Sequence, residues 1–210
     1  MKFFLYTFTG IFLATLLTVP ILILRKLPDS QASSSSIPLK SRGDERAPIQ
    51  IVEYSDFQCP SCQAVEMPLK ELLDRYPGKF YFVYKHFPLM GHKFSPLAHQ
   101  AAECAHEQGK FWEFHDRLYQ DQMVWSSALD PLKIFLNYAR DMKLNEERFA
   151  RCLENAAVAE RIQVDKKEGQ SAGVNSTPTF FVNGVMLTGS RQFGESADRL
   201  VQEKLAEQKG

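Results

Sequence analysis

DFQCPSCQAVEMP, residues 56–68, sets two cysteines two residues apart between two contrasting segments. On the amino-terminal side, IQIVEYS (49–55) is β-branched and apolar, is bounded by Pro48 and Asp56, and reads as a largely buried strand. On the carboxyl side, Pro60 takes the position a helix accepts most readily, its first. Apolar residues then recur at Val65, Leu69, Leu72 and Leu73 until Tyr76, Pro77 and Gly78 end the run. Pro68 falls inside this helix, where proline costs roughly 3 kcal/mol and predicts a bend. KFYFVYKHFPL (79–89) follows as a second buried strand. Strand, helix and strand of these lengths make a βαβ unit, whose parallel strands need cover on both faces.

Further along, residues 95–172 hold no convincing strand. Helical periodicity is interrupted at Gly109, around Ser126 to Pro131 and at Leu144-Asn145, which predicts four or five helices. Phe111, Phe114 and Leu118 share one helical stripe and Phe135, Tyr138 and Ala139 another, as core residues do. TPTFFVNGVMLTG (177–189) reads as two short strands around Asn183-Gly184, the dipeptide best suited to a type I′ hairpin. FGESADRLVQEKLAEQ (193–208) closes the chain as an amphipathic helix. The order is βαβ, a helical block, then ββα: an α/β protein with an all-helical insertion.

At the amino terminus, residues 3–24 carry no charged side chain, with Lys2 before them and Arg25 and Lys26 after. As a helix this run reaches roughly 33 Å, enough for a hydrocarbon core of about 30 Å, and residues 1–26 are expected to form a transmembrane signal anchor. A cleaved signal peptide is the rival, with Ser30-Gln31-Ala32 as a small-x-small site, but the apolar run exceeds the usual length and Ala32 lies well beyond it. Similar flanking charge leaves the orientation open. Serine-rich residues 27–47 are expected to be a flexible tether. Twenty-five basic residues balance twenty-five acidic ones, so no net field draws nucleic acid or anionic lipid. A glycine-rich phosphate loop and a G-x-S-x-G elbow are both missing from the sequence.

The four cysteines are Cys59, Cys62, Cys104 and Cys152. Zinc usually takes a second closely spaced pair, whereas Cys104 stands 42 residues beyond Cys62 and Cys152 is further still. As a staple, a bridge between Cys59 and Cys62 removes only about 2 kcal/mol of unfolded-state entropy. A redox role accounts for the setting: Cys59 caps the helix that opens at Pro60, where free N–H groups and the helix dipole favour an anion. A thiolate held there is the attacking or leaving sulfur, and Cys62, one turn further in, resolves the mixed disulfide.

VEYSDFQCPSC, AAECAHEQGKFWEFHD and GVNSTPTFFVNG together resemble the DsbA-like branch of the thioredoxin superfamily, the extracytoplasmic thiol:disulfide oxidoreductases. The resemblance implies a thioredoxin fold with its first half at 48–94, a helical insertion at 95–172 and its second half at 173–210. It also implies Cys59 as nucleophile, Cys62 as resolving cysteine and Thr177-Pro178 as the cis-proline loop that meets substrate. Glu53, six residues before Cys59, matches a buried acid beneath the disulfide; burial raises its pKa towards neutrality and suits it to relay a proton to Cys62. An exposed strand-end glutamate is the plainer reading. Ser61 departs from the C-P-H-C of strongly oxidising members and supplies no positive charge, which implies a less oxidising pair and leaves reduction or isomerisation open. Asp56 and Gln58 lie on the approach to Cys59, as plain loop residues or as groups that shape access.

Cys104 and Cys152 sit in two separate helical stretches and are expected to form a structural disulfide closing about 49 residues; two buried free thiols are the alternative. His99, Glu103 and His106 share a helical face in the way of an ordinary helix, so no metal site is expected, and His86, His92 and His115 have no partner evident from sequence. The expectation is a membrane-tethered oxidoreductase facing an oxidising compartment such as the periplasm or cell exterior. It would need no cofactor, would act on reduced secreted proteins, and would be reoxidised by a membrane partner of the DsbB or vitamin K epoxide reductase kind. A reductase or isomerase, or a non-catalytic protein- or metal-binding module, are the rivals.

Overall fold

The computed structural model describes residues 39–208; the expected membrane anchor at 1–26 and most of the expected tether lie outside them. A five-stranded sheet has the order β1-β3-β2-β4-β5, formed by β1 (Ser41–Gly43), β2 (Ile49–Ser55), β3 (Phe80–His86), β4 (Thr179–Val182) and β5 (Val185–Thr188). β2 and β3 run parallel with Ile49 opposite Phe80 and Ser55 opposite His86, while β4 pairs antiparallel to β2 with Glu53 opposite Phe180. The crossover between β2 and β3 is α1 (Pro60–Arg75), which runs unbroken through Pro68. The hairpin turns at Asn183 and Gly184, with φ of 47° and 84°, the left-handed pair a type I′ turn requires.

Both sheet faces are covered, as parallel strands demand. Ile49 and Ile51 of β2 and Phe80 and Phe82 of β3 pack with Val65, Leu69 and Leu72 of α1 and with Phe193, Ala197 and Val201 of α8 (Gly189–Glu207). On the other face Tyr54 meets Phe87, Phe181 and Val174. There α7 (Ala156–Ser171) approaches so closely at Gly169 that a Cβ would lie 2.7 Å from the Tyr54 ring.

Between β3 and β4 the chain forms six helices rather than four or five: α2 (Ser95–His106), α3 (Phe111–Gln120), α4 (Gln122–Ser126), α5 (Pro131–Asp141), α6 (Glu146–Leu153) and α7. The additional breaks fall at Asp121 and at Glu154-Asn155, where neither glycine nor proline signals a stop; Asn155 caps α7 by accepting from the Ala157 N–H. Phe114, Leu118, Trp125, Phe135 and Phe149 form the core of this block, and the same cluster takes in Phe57, Cys59 and Cys62. The helical block therefore packs directly against the loop that carries Cys59 and Cys62.

Part of the expected tether at 27–47 belongs to the fold. Ser41–Gly43 pair with Tyr81–Val83 as an edge strand, the Trp112 indole N–H donates to the Ser41 carbonyl at 3.2 Å, and Lys40 reaches Glu103 at 2.8 Å. At Gly43, φ is 94° and a Cβ would fall 1.9 Å from the Phe80 carbonyl oxygen, so only glycine fits.

Cys104 of α2 and Cys152 of α6 are bridged, with Cα atoms 5.6 Å apart and a sequence separation of 48. A C104A/C152A variant is expected to lose about 4 kcal/mol, or about 10 °C in melting temperature. Urea and thermal unfolding of the two proteins measure this loss, and equal midpoints would show that the bridge adds no stability.

Candidate active site

Ile49, Ile51, Glu53 and Ser55 alternate onto one face of β2, so the strand that builds the core also delivers a carboxyl group beneath α1. Where β2 ends, Asp56 to Cys59 turn the chain into the helix: the Cys59 N–H donates to the Asp56 carbonyl at 3.0 Å and the Cys62 N–H to the Cys59 carbonyl at 3.0 Å. Cys59 is the N-cap and Pro60 follows in the first turn, which carries no acidic side chain. Both thiols are free; Cys59 is 7% exposed and Cys62 is completely buried.

The two sulfurs are pulled in opposite directions. Hydrogen bonding from the Cys62 thiol, helped by the backbone N–H groups of Cys62 and Ser61, brings the Cys59 pKa down to about 5 against the opposing effect of burial. Burial, followed by the hydrogen bond and charge of Cys59 and the charge of Glu53, pushes the Cys62 thiol well above its ordinary value. One sulfur is thus set to ionise at neutral pH and the other to keep its proton.

Thr177-Pro178 is a cis peptide, and the Thr177 carbonyl lies 3.5 Å from the Cys59 sulfur. Ser61, which carries no charge, shares a hydrogen bond with the Ser190 hydroxyl at 3.1 Å, tying the C-P-S-C turn to the start of α8. Glu53 is fully buried with both carboxyl oxygens unpartnered, and burial raises its pKa to about 7.

Several residues that sequence reasoning missed, or left open between a plain loop role and shaping access, support the turn. Asp56 is fully buried and accepts from the Gln58 and Leu89 N–H groups, both at 2.8 Å, and from the Ser95 hydroxyl at 2.6 Å, with His92 Nδ1 at 2.7 Å. The Gln58 side chain in turn accepts from the Phe94 N–H at 2.7 Å. Gln122 of α4 donates to the carbonyls of Phe57 and Cys59 at 2.8 and 2.9 Å. The only sequence signal for Asp56 was its position three residues before Cys59, and for Gln122 there was none.

Glu66, one helical turn after Cys62, is pushed up to about 9, chiefly by burial and then by Glu53. Together with His115 and Asp116 it lines a cavity of about 670 Å³ between α1, α3 and β3. These three groups offer ligand atoms within 4.8 Å of one another. The Arg42 guanidinium already pairs with Asp116 at 3.4 Å and His115 Nδ1 with the same carboxylate at 2.8 Å, so a cation there meets a resident positive charge. His99 and Glu103 of the helical face considered for metal are both bonded to His86 instead.

Comparison with known proteins agrees with this geometry. The sequence pattern of the family described as Thioredoxin matches residues 38–202. Among curated relatives, a protein named Na(+)/H(+) antiporter NhaA 3 from Salinispora tropica is 42% identical over 144 residues, 68% of this chain but 21% of that protein. One named Na(+)/H(+) antiporter NhaA from Herminiimonas arsenicoxydans is 35% identical over 149 residues, 71% of this chain and 23% of that protein. The chain thus spans less than a quarter of the length of these relatives. Among solved structures, alpha-DsbA1 of Wolbachia pipientis superposes with a TM-score of 0.68 at 22% identity, over 88% of this chain and 97% of that one. Oxidised BdbD of Bacillus subtilis gives 0.67 at 22%, over 78% and 93%, and a thioredoxin-like oxidoreductase of Silicibacter pomeroyi gives 0.64 at 27%, over 77% and 91%.

The raised Glu53 pKa has a stability consequence. A carboxyl that titrates near 7 when folded and near 4.3 when unfolded costs the fold progressively as pH rises between those values, and the cost is complete above the folded value. Glu53→Gln is therefore expected to be more stable than the parent at pH 8, by roughly 3–4 kcal/mol, and equal to it at pH 4. Urea unfolding at the two pH values reads the difference; a variant that is no more stable at pH 8 would show Glu53 to be solvated or ion-paired. With this buried acid, the cis-proline loop and the C-P-S-C turn assembled at the head of α1, and with the family pattern covering 38–202, the chain belongs to the thioredoxin family, and its described residues take the DsbA-like form of that fold.

Proposed function

We propose that this protein is an extracytoplasmic thiol:disulfide oxidoreductase, held at a membrane by the apolar run at 3–24, that passes the Cys59–Cys62 disulfide to reduced secreted proteins. The observation that carries this reading is the opposite displacement of the two thiols, Cys59 down to about 5 and Cys62 upward. A client thiolate attacks Cys59 of the disulfide, and a mixed disulfide forms as Cys62 leaves and takes up a proton, for which Glu53 is the nearby buried donor. The client's second thiolate then attacks the client sulfur of the mixed bond and Cys59 departs as a thiolate. The client dithiol is oxidised and the Cys59–Cys62 pair reduced by two electrons. Because the departing thiolate is already stabilised, the reduced state is favoured, and transfer runs towards the client.

Thr177 and Pro178 beside Cys59 supply the backbone against which a client segment lies. Regeneration calls for a membrane-bound disulfide donor of the DsbB or vitamin K epoxide reductase kind. Persistent disulfides such as Cys104–Cys152 support an oxidising compartment, periplasmic or outside the cell. The matches to proteins named as antiporters cover less than a quarter of their length, which supports a shared exchange module rather than shared ion transport. Ser61 in place of a histidine favours a second reading, a reductase or isomerase on the same fold, because it contributes no positive charge to the thiolate.

Equilibration of the Cys59–Cys62 pair against glutathione separates these readings. Oxidase action predicts a potential less negative than about −200 mV, whereas a value near the roughly −270 mV of thioredoxin assigns the protein to reduction. In the same assay Cys62→Ser is expected to accumulate a mixed disulfide with glutathione, as the Cys59 thiolate attacks oxidised glutathione and releases one reduced glutathione, and Cys59→Ser to form none. Full client oxidation by Cys59→Ser would overturn an enzymatic role for the pair.

A further inference from the structure

Beneath the redox loop lies a buried row of ionisable side chains that exchange chemistry does not obviously need. His86 at the end of β3, His99 and Glu103 of α2, and Asp56 are each at most 1% exposed. His86 Nε2 lies 2.8 Å from Glu103 Oε1, His86 Nδ1 lies 2.5 Å from His99 Nδ1, and His99 Nε2 faces Asp56 Oδ1 at 3.7 Å with no other partner. Behind Glu103 stand Lys40 Nζ at 2.8 Å and Arg161 Nε at 3.0 Å, and Lys40 also reaches Asp165 at 3.2 Å. On the far side of Asp56 is His92.

Hydrogen-bond roles fix the protons. Glu103 meets two cations, and despite burial His86 and Lys40 hold its carboxyl well below the usual range; it accepts only. His86 Nε2 must then carry a hydrogen. Asp56 is likewise an acceptor, with two backbone N–H groups and the Ser95 hydroxyl converging on it. The short Nδ1···Nδ1 contact needs one proton between the rings. A bare His99 Nε2 would point a lone pair at a carboxylate; a protonated one presents an N–H. Three protons on four ring nitrogens leave the pair with one positive charge. Burial and the neighbouring Lys40 charge drive His86 towards its neutral form, so the charge belongs on His99, which also lies 4.8 Å from the centre of the Phe57 ring.

We propose that His99 is a buried imidazolium whose role is to balance the Asp56 carboxylate, so that the loop carrying Cys59 presents no net negative charge against the thiolate. Asp56 touches both halves of the redox turn, through its carbonyl to the Cys59 N–H at 3.0 Å and through its N–H to the Cys62 sulfur at 3.5 Å. His99 thereby acts as a positioning residue, and supplies from below part of the positive charge that Ser61 does not. This rests on Cys59 being the attacking sulfur.

The test has two arms. Nitrogen NMR of the reduced full chain with ¹⁵N-labelled histidine is expected to show both His99 nitrogens protonated at pH 7, and a neutral His99 would overturn the proposal whatever the variants do. In the second arm, the pH profile of Cys59 alkylation is expected to shift upward by about one unit in His99→Gln, about tenfold less thiolate at a given pH below the midpoint. The same change made in an Asp56→Asn background is expected to produce no shift. An unshifted single variant, or a shift that persists without the Asp56 charge, contradicts charge balancing. A parent protein whose Cys59 alkylates like free cysteine refutes the exchange reading instead, and leaves the NMR result standing.

Discussion

Placing one negative charge on the Cys59 sulfur, at the mouth of α1, is the constraint around which the rest of the structure is arranged. Helix N–H groups and the Cys62 thiol favour that anion, and a packed floor of Phe57, Tyr84 and Tyr119 keeps water from the partner sulfur. Removing Cys62 from solvent has the opposite effect on it. The asymmetry follows from a four-residue turn that puts one sulfur at the helix cap and the other one turn inside.

That turn is held from three directions. β2 feeds into it from the sheet, α8 meets it through Ser190 and Ser61, and the helical block closes on it through Gln122 and through the Asp56 carboxylate bonded to residues 89–95. The insertion between β3 and β4 is thus part of the site as well as an addition to the fold. Burying Glu103 is tolerable because His86, Lys40 and Arg161 all bond to it, and burying Asp56 because Gln58, Leu89, Ser95 and His92 satisfy its carboxylate; stripping a buried charge of its partners costs about 3–5 kcal/mol.

Much of this was legible in the sequence because it depends on local rules. The alternation in 49–55, the proline after Cys59 and the Asn183-Gly184 turn each specify a backbone shape, and they recovered β2, the start of α1 and the β4–β5 hairpin. What escaped depends on tertiary context. Ser41–Gly43 is polar and three residues long, so nothing in its composition distinguishes an edge strand from a linker; only the Phe80 carbonyl against Gly43 and the Trp112 indole on Ser41 make it part of the sheet. Asp121 breaks a helix without a breaker residue, and Asn155 became legible as a cap only once α7 was seen to start after it. His86 of β3 looked partnerless because its partners, His99 and Glu103, lie 13 and 17 residues away and meet it only when α2 docks on β3.

The charge on one sulfur is also the quantity most directly open to measurement. Thiolate absorbance of the reduced protein, titrated from pH 3 to 10 with a Cys62→Ser variant alongside to assign the signal, should show a single group ionising close to 5 and a second that stays protonated past neutrality. A first ionisation in the ordinary thiol range near 8.5 would contradict the account.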